Sequence, residues 1–352
     1  AQVTLPSILP GLLHTHTAAH ASVQSDKLAE SVAAIIFTSG TTGQPKGVML
    51  THAGLLQFAK VSSQSRLLGK ADRSYAYLPM THIFGLGTVL MASIYARSGL
   101  LMRSQFEAED VFEALARHGM TQLQGPPAMF SRLLAWLDTQ GIEHPVAPDL
   151  RYVYTGAAPL DLSVKNAVQA RFGLPLHHGY GLSEYAGALT LCRLGEWRDD
   201  VSAGYLVEGA ELRIVSPEGR DLPYGETGEI YMRGVGLMPG YFRDPDITEQ
   251  VMKPGGWYAS GDLGRQSADG ALQVVGRLKE MIIRSGFNVY PGEVEAVLLN
   301  YPGVQKAAVI GRKTADGNEE ILAFVEPKFG IEIDASALQL HAHTHLTAYK
   351  RP

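Results

Sequence analysis

Between Ile35 and His52 the chain reads IIFTSGTTGQPKGVMLTH. The hydroxyls of Thr38, Ser39, Thr41 and Thr42, the glycines Gly40, Gly43 and Gly47 and the ammonium of Lys46 crowd into one loop. Glycines let backbone N–H groups approach a ligand, hydroxyls add donors around an anion, and the lysine supplies a point charge, so phosphate is the ligand this set would hold. The loop does not have the familiar G-x-x-x-x-G-K-[ST] form, because Gly40 and Gly43 stand too close together and Lys46 is followed by Gly47. The same residue types also build ordinary polar turns, and composition alone leaves that reading open. Ile35, Ile36 and Phe37 read as a buried strand ahead of the loop and Thr51 as the cap of a helix starting near His52, so a turn from strand to helix is expected either way.

Other reactive residues carry less. Cys192 is the single cysteine, lies in the apolar run ALTLC and has no base beside it, which suits a core residue rather than a nucleophile. One cysteine excludes an internal disulfide and fits a reducing compartment. The histidines His14, His16 and His20, and His341, His343 and His345, invite a metal, but in a helix only His341 and His345 share a face, so a solvated surface is expected.

The elements that must carry the loop follow from the pattern. With 352 residues, 45% of them hydrophobic and 18% charged, the chain is long enough for more than one core. A net charge of -5 gives no basic footprint for nucleic acid or anionic membrane, and no run of apolar residues is long enough to span a bilayer, so a cytoplasmic protein is expected. From Ala33 to about Leu191 short apolar runs such as YAYLPM, TQLQG and RYVYTG alternate with helical patterns, which implies βαβ units and a mostly parallel sheet. In AEDVFEALARHGM the residues Val111, Phe112, Leu115 and Met120 fit one helix face. Past Cys192 the chain changes to short strands and frequent turns, the pattern of a small antiparallel sheet or barrel. Beyond GRLKE strands and helices return, and a smaller α+β unit is expected there.

Three more stretches follow the loop in order: HGYGLSE (178–184), YASGDLG (258–264) and GRLKEMIIRSGFNVYPGEVE (276–295). Together with FTSGTTGQPKG they resemble the signatures of the acyl-adenylate-forming superfamily, that is, acyl-CoA and aryl-CoA ligases, luciferases and adenylation domains. The motifs look most like those of fatty-acyl and coumarate-type CoA ligases, and the resemblance covers nearly the whole chain from about Asp26 onward. It implies an enzyme that activates a small carboxylic acid with ATP, releases pyrophosphate, and passes the acyl group from its adenylate to the thiol of coenzyme A or of a carrier protein. A nucleotide-binding pseudo-enzyme without turnover is the rival reading.

Carried over residue by residue, the resemblance gives Thr38 to Lys46 the β- and γ-phosphates, with Ser39, Gly40, Thr41, Thr42 and Gly43 in the cradle. Tyr180, between Gly179 and Gly181 and after His178, would stack on adenine, with Ala157 of TGAAPL beside it. Ser183 would touch the α-phosphate, Glu184 and Thr38 would ligate Mg2+, and Asp262 with Arg277 would hold the ribose. Read alone, Tyr180 could be a core tyrosine, Glu184 a surface carboxylate and Asp262 an Asx-turn residue. Ser285 and Gly286 match the pantetheine tunnel, and Lys279 the hinge between residues 1–278, a core lacking its first subdomain, and a mobile domain at 279–352. The segment MTHIFGLG would line the acid pocket with His82, Phe84, Gly85 and Gly87, joined by Ala157, Ala158, Gly181, Ala186 and Gly187, small uncharged residues that suit an apolar fatty or aryl acid.

Departures from the family pattern are also visible. Ile283 stands where many relatives carry lysine. The family's adenylating lysine follows a run like Tyr349–Pro352 and is not among these residues. The expectation is a chain truncated at both ends.

Overall fold

The strand that carries Thr38 does not run into a helix. In the computed structural model, which describes residues 28–39, 45–314 and 318–352, strand β1 (Val32–Ser39) pairs antiparallel with β2 (Pro45–Thr51), and the helix His52–Gln64 starts only after β2. The expected strand-to-helix turn is therefore a hairpin loop. The register sets Thr38 opposite Lys46 and Ser39 opposite Pro45. Thr51 does cap the helix, its Oγ1 accepting the Gly54 N–H at 3.0 Å. Only part of the Ile35–Phe37 run is buried: Ile36 is 5% exposed, while Ile35 and Phe37 are 37% and 66% exposed. A two-stranded ribbon has one face on the core, so alternate residues must face away from it. Ile36 joins the fully covered Val48 and Leu50 of β2 on the inner face.

The main sheet has seven strands. β3 (Arg73–Ala76), β4 (Gly99–Met102), β5 (Gln122–Gly125), β6 (Tyr152–Thr155) and β7 (Leu176–Leu182) run parallel in the order β4-β3-β5-β6-β7. Antiparallel β8 (Gly187–Leu191) and β9 (Tyr205–Leu206) extend the sheet past β7. Helices Ala108–Arg117, Pro127–Thr139 and Leu162–Phe172 follow the parallel strands and cover them. In the first of these Val111 and Leu115 are buried and Phe112 packs on Trp136, so the predicted face is the packed one. The stretch FGLGTVLM folds as a π-helical segment, Phe84–Met91, before a short α-helix, Ala92–Ala96.

A second sheet is wholly antiparallel: β10 (Ala210–Val215), β11 (Gly228–Gly234), β12 (Met252–Lys253), β13 (Trp257–Gln266) and β14 (Leu272–Arg277). Its inner residues Ile214, Ile230 and Met232 share one core cluster with Ile36, Val48 and Leu50 of the hairpin and with Tyr185 and Leu189. Further along the chain come the hairpin β15 (Ile282–Arg284) and β16 (Phe287–Val289), the helix Pro291–Leu299, the hairpin β17 (Val304–Lys313) and β18 (Glu319–Pro327), and the helix Ala335–His345. They close around their own cluster, which includes Ile282, Val294, Leu298, Val309, Ile321 and Leu338. The protein is thus α/β, with a mostly parallel sheet and smaller antiparallel ones. No helix of the described residues is long and apolar enough to cross a membrane.

Candidate functional site

Strand β7 delivers Tyr180 and β13 delivers Asp262, residues 82 positions apart in sequence. The Tyr180 hydroxyl donates to Asp262 Oδ2 at 2.7 Å. The β13–β14 register sets Asp262 opposite Arg277, whose Nε lies 3.2 Å from Oδ1. The Asp262 N–H is bonded to Ser260 Oγ at 3.0 Å, which holds the backbone at that point. Burial pushes the Asp262 carboxyl up, and the Tyr180 bond and Arg277 charge only partly oppose it. Burial likewise raises the Tyr180 phenol, so it stays a donor. Beside this tyrosine the missing side chain is required: a Cβ on Gly181 would stand 2.0 Å from the Gly187 carbonyl oxygen.

A second chain of contacts starts at the phosphate-type loop. The segment Gly240–Phe242 runs along β2, with Met49 N–H donating to Gly240 O and Phe242 N–H to Gly47 O. This puts the Tyr241 ring 5.2 Å from Lys46 Nζ, in cation–π range. The Tyr241 hydroxyl donates to Glu184 Oε1 at 2.9 Å and lies 3.3 Å from the Tyr258 hydroxyl. Met238 N–H to Glu184 O, 2.8 Å, fixes the turn Ser183–Tyr185 that carries the carboxylate. Burial and the neighbouring Glu184 charge raise both Tyr241 and Tyr258. Tyr180 packs against the core cluster in which Tyr241 and Tyr258 are buried, so the two chains of contacts border the same core. Tyr258 opens the motif YASGDLG but carried no expected role, and Tyr241 lies outside every motif.

The other candidates fall into place unevenly. Gly40, Thr41, Thr42 and Gly43 lie outside the described residues, and of Ser39 only the backbone is described. Ser183 is 6% exposed. His178 is buried behind Tyr180, its Nδ1 3.1 Å from Val201 O, and burial lowers its pKa. His82 Nδ1 accepts the Phe84 N–H at 3.1 Å, so the imidazole caps the π-helical segment. Phe84 packs edge-on to Tyr154, with ring centroids 5.7 Å apart. Gly85 is hemmed in by backbone, since a Cβ there would meet the Pro79 carbonyl at 2.2 Å. The space beside Gly87 and Gly187 belongs to Phe58, whose ring atoms lie 2.6 Å and 2.3 Å from the Cβ positions of these glycines. Ala157 is exposed with φ 65°, a left-handed turn position, and Ala158 is exposed beside it. Lys279 sits in the turn Leu278–Glu280 after β14. Ser285 and Gly286 form the β15–β16 turn with φ 52° and 79°, and Ser285 N–H donates to Asn318 Oδ1 at 2.6 Å. Cys192 is 6% exposed, a core residue. His341 and His345 are neighbours on one helix face but bond to backbone carbonyls, and no metal-binding cluster occurs among the described residues. His14, His16 and His20 lie outside the described residues.

The profile of the family described as AMP-binding enzyme matches residues 7–242, and that of the AMP-binding enzyme C-terminal domain matches residues 293–352. The chain belongs to the AMP-binding enzyme family. Within this family, the acyl-adenylate-forming superfamily, it is 34% identical to sulfoacetate–CoA ligase of Cupriavidus necator, an alignment covering 99% of this chain and 68% of the relative. It is also 34% identical to 4-coumarate–CoA ligase of Vanilla planifolia over 92% of this chain and 60% of that one. Feruloyl-CoA synthase of Amycolatopsis sp is again 34% identical, with 92% and 65% covered. Among solved AMP-binding enzymes, ATP-bound MatB from Rhodopseudomonas palustris superposes with a TM-score of 0.87 at 30% identity, covering 92% of this chain and 63% of that one. The o-succinylbenzoate CoA synthetase of Bacillus subtilis with ATP and magnesium ion gives 0.82 at 28%, with 92% and 66% covered. The chain thus spans about two thirds of the length of these relatives.

Proposed function

We propose that the protein activates a carboxylic acid with ATP, forming an acyl-adenylate and pyrophosphate, and then an acyl thioester of coenzyme A and AMP. The observation that carries this is that two contact chains, Tyr180–Asp262–Arg277 and Lys46–Tyr241–Glu184, border one core cluster, in which Tyr241 and Tyr258 are buried and against which Tyr180 packs. Asp262 offers a buried acceptor for the paired donors of a ribose, and Tyr180 offers the plane beside it. Lys46 brings positive charge to the phosphate end, where stabilising the leaving pyrophosphate lowers the barrier.

Magnesium fits the residues present. Glu184 gives one carboxylate oxygen to Tyr241, and the other has no hydrogen-bond partner among the described residues. A single protein carboxylate, with the Thr38 hydroxyl proposed as a second oxygen donor from the strand position opposite Lys46, suits a small hard cation that takes its other oxygens from phosphates and water. When bound, it would neutralise charge on the phosphates. The coumarate and feruloyl CoA ligase relatives support coenzyme A as acceptor and an aryl acid as substrate, and a fatty acid is the other class this reading allows. Ser285 and Gly286 are the residues proposed for the thiol's path, with the boundary between 1–278 and 279–352 at Lys279.

Pyrophosphate release and thioester mass should be measured with a panel of aryl and fatty acids, ATP, magnesium and coenzyme A. An AMP-containing adduct and a CoA thioester are expected for at least one acid. ATP binding without pyrophosphate release for any acid would favour a nucleotide-binding pseudo-enzyme.

A further inference from the structure

Behind the segment Phe84–Met91 a charged side chain is sealed in without a counter-ion. Arg66 is 1% exposed. Its Nη1 donates to Gln124 Oε1 and its Nη2 to Thr88 O, its Nε has no partner, and no carboxylate of the described residues is within ion-pair distance. Asp72, whose charge acts on Arg66, is taken by Arg151 at 2.7 Å, and Arg151 also donates to Arg66 O at 2.8 Å. Asp72 thus pairs with Arg151 and leaves Arg66 without an ion pair. Burial lowers the Arg66 guanidinium to about 10, which leaves it charged at neutral pH. A buried, unbalanced charge of this kind is costly, so an interior that keeps one normally supplies an opposite charge. On the same face of the sheet, both amide atoms of Gln122 and the Gln124 amide nitrogen are also unsatisfied.

Arg66 lines a small cavity together with Phe58, Ser62, Thr88, Tyr152 and Tyr154, with about 10 Å³ of room for the centre of a water-sized particle. The phenols there are held neutral by burial, so neither supplies the missing negative charge. The cavity backs onto the proposed acid pocket. Phe58 fills the space at Gly87 and Gly187, and the Tyr154 hydroxyl lies 2.6 Å from the Cβ position of Gly179 and 3.1 Å from that of Gly156.

We propose that this cavity is a binding site for a compact anion, held by Arg66 against the back of the acid pocket. Its room is that of about one water-sized particle, so a single-atom anion such as chloride enters once the lining, Phe58 included, gives slightly. The same charge could instead come from the distal acidic group of a short bifunctional acid reaching past Phe58 and Tyr154, and this second source rests on the acid-activating reading.

The test is thermal unfolding of the whole chain at constant ionic strength. Chloride is exchanged for gluconate in one arm, and propionate for succinate or 3-sulfopropionate with ATP in the other. A rise of about 2–5 °C is expected in one arm at saturating anion. The shift should be absent in Arg66→Met and retained in weakened form in Arg66→Lys. A chloride shift identifies a free ion, and a shift confined to the bifunctional acids identifies the substrate's own terminus. Wild-type protein insensitive in both arms, or Arg66→Met responding as wild type does, overturns the site. The chloride arm needs neither nucleotide nor turnover. Pyrophosphate release from simple acids with no anion shift would sink the anion site and leave the ligase reading standing; a chloride shift with no pyrophosphate from any acid would do the reverse.

Discussion

At the scale of single residues, Asp262, the carboxylate proposed for the ribose, should trade stability for binding. Burial holds the Asp262 carboxyl above its ordinary range. A folded pKa above the unfolded one means the group's stabilising contribution is complete below the unfolded value, near 4, and is lost as pH rises through the folded value. At pH 7 the ionised, desolvated carboxylate is therefore a cost to the empty fold. Its ion pair offsets little, because the Arg277 side chain is 60% exposed. Asp262→Asn should make the empty protein more stable to urea at pH 7, with the gain shrinking toward pH 4. The same change should weaken ATP binding by about tenfold or more, the worth of a hydrogen bond to a charged group. A less stable variant at pH 7 would count against this account. Tyr241 is a positioning residue for Glu184. Tyr241→Phe removes the 2.9 Å bond but keeps the ring near Lys46, so the magnesium needed for half-maximal pyrophosphate release should rise about fivefold while AMP affinity holds. A fall in melting temperature with no change in magnesium requirement would show a merely structural role. Tyr180, Glu184 and Asp262 were legible because motif residues flank them. Tyr241 was not, since its tie to Glu184 spans 57 positions that only folding brings together.

At the scale of elements, the sequence predicted the alternation of the parallel sheet correctly and misread the first hairpin. The short strands β3, β5 and β6 are covered on both faces, and their alternation with helix-patterned stretches is recognisable in one dimension even where, as in β5, half the residues are glutamine. β1 and β2 form a ribbon with one face outward, so Phe37 looks like core in sequence and is 66% exposed in the fold. The glycines of FGLGTVLM pose a similar difficulty. Gly87 reads as open space for an acyl chain, yet the Phe58 ring is 2.6 Å from where its Cβ would be. If Gly87 is small to admit Phe58, Gly87→Ala should destabilise by about 1–3 kcal/mol through overpacking, and adding Phe58→Leu should recover much of that loss. The check is a double-mutant cycle by denaturant unfolding, with acid affinity measured alongside. Additive losses, or a Gly87→Ala variant of full stability that binds acids poorly, would instead make Gly87 part of the substrate wall.

At the scale of the whole molecule, the division of the chain into a nucleotide-binding body and a smaller unit is open to direct measurement. The cluster built on Val294, Leu298, Val309 and Ile321 draws on residues from 282 onward, whereas Tyr180, Glu184, Lys46 and Asp262 sit on elements that pack elsewhere. The return of strand and helix patterns after GRLKE made the change of style visible in the sequence. Which core each element joins was not visible there, because that depends on packing between distant segments. The helix Pro291–Leu299 lies against β14, where a Cβ on Gly292 would stand 3.2 Å from the Val275 carbonyl oxygen, so the units touch without sharing a cluster. A unit this small is only marginally stable by itself, and losing one buried leucine should open it first. Leu298 is 2% exposed, and Leu298→Ala should cost about 2–5 kcal/mol locally. Amide exchange should then accelerate across 282–346 while β6, β7 and β13 keep their protection and AMP binds as before. Exchange that accelerates throughout the chain, with AMP affinity lost in parallel, would mean one cooperative body and no boundary near Lys279.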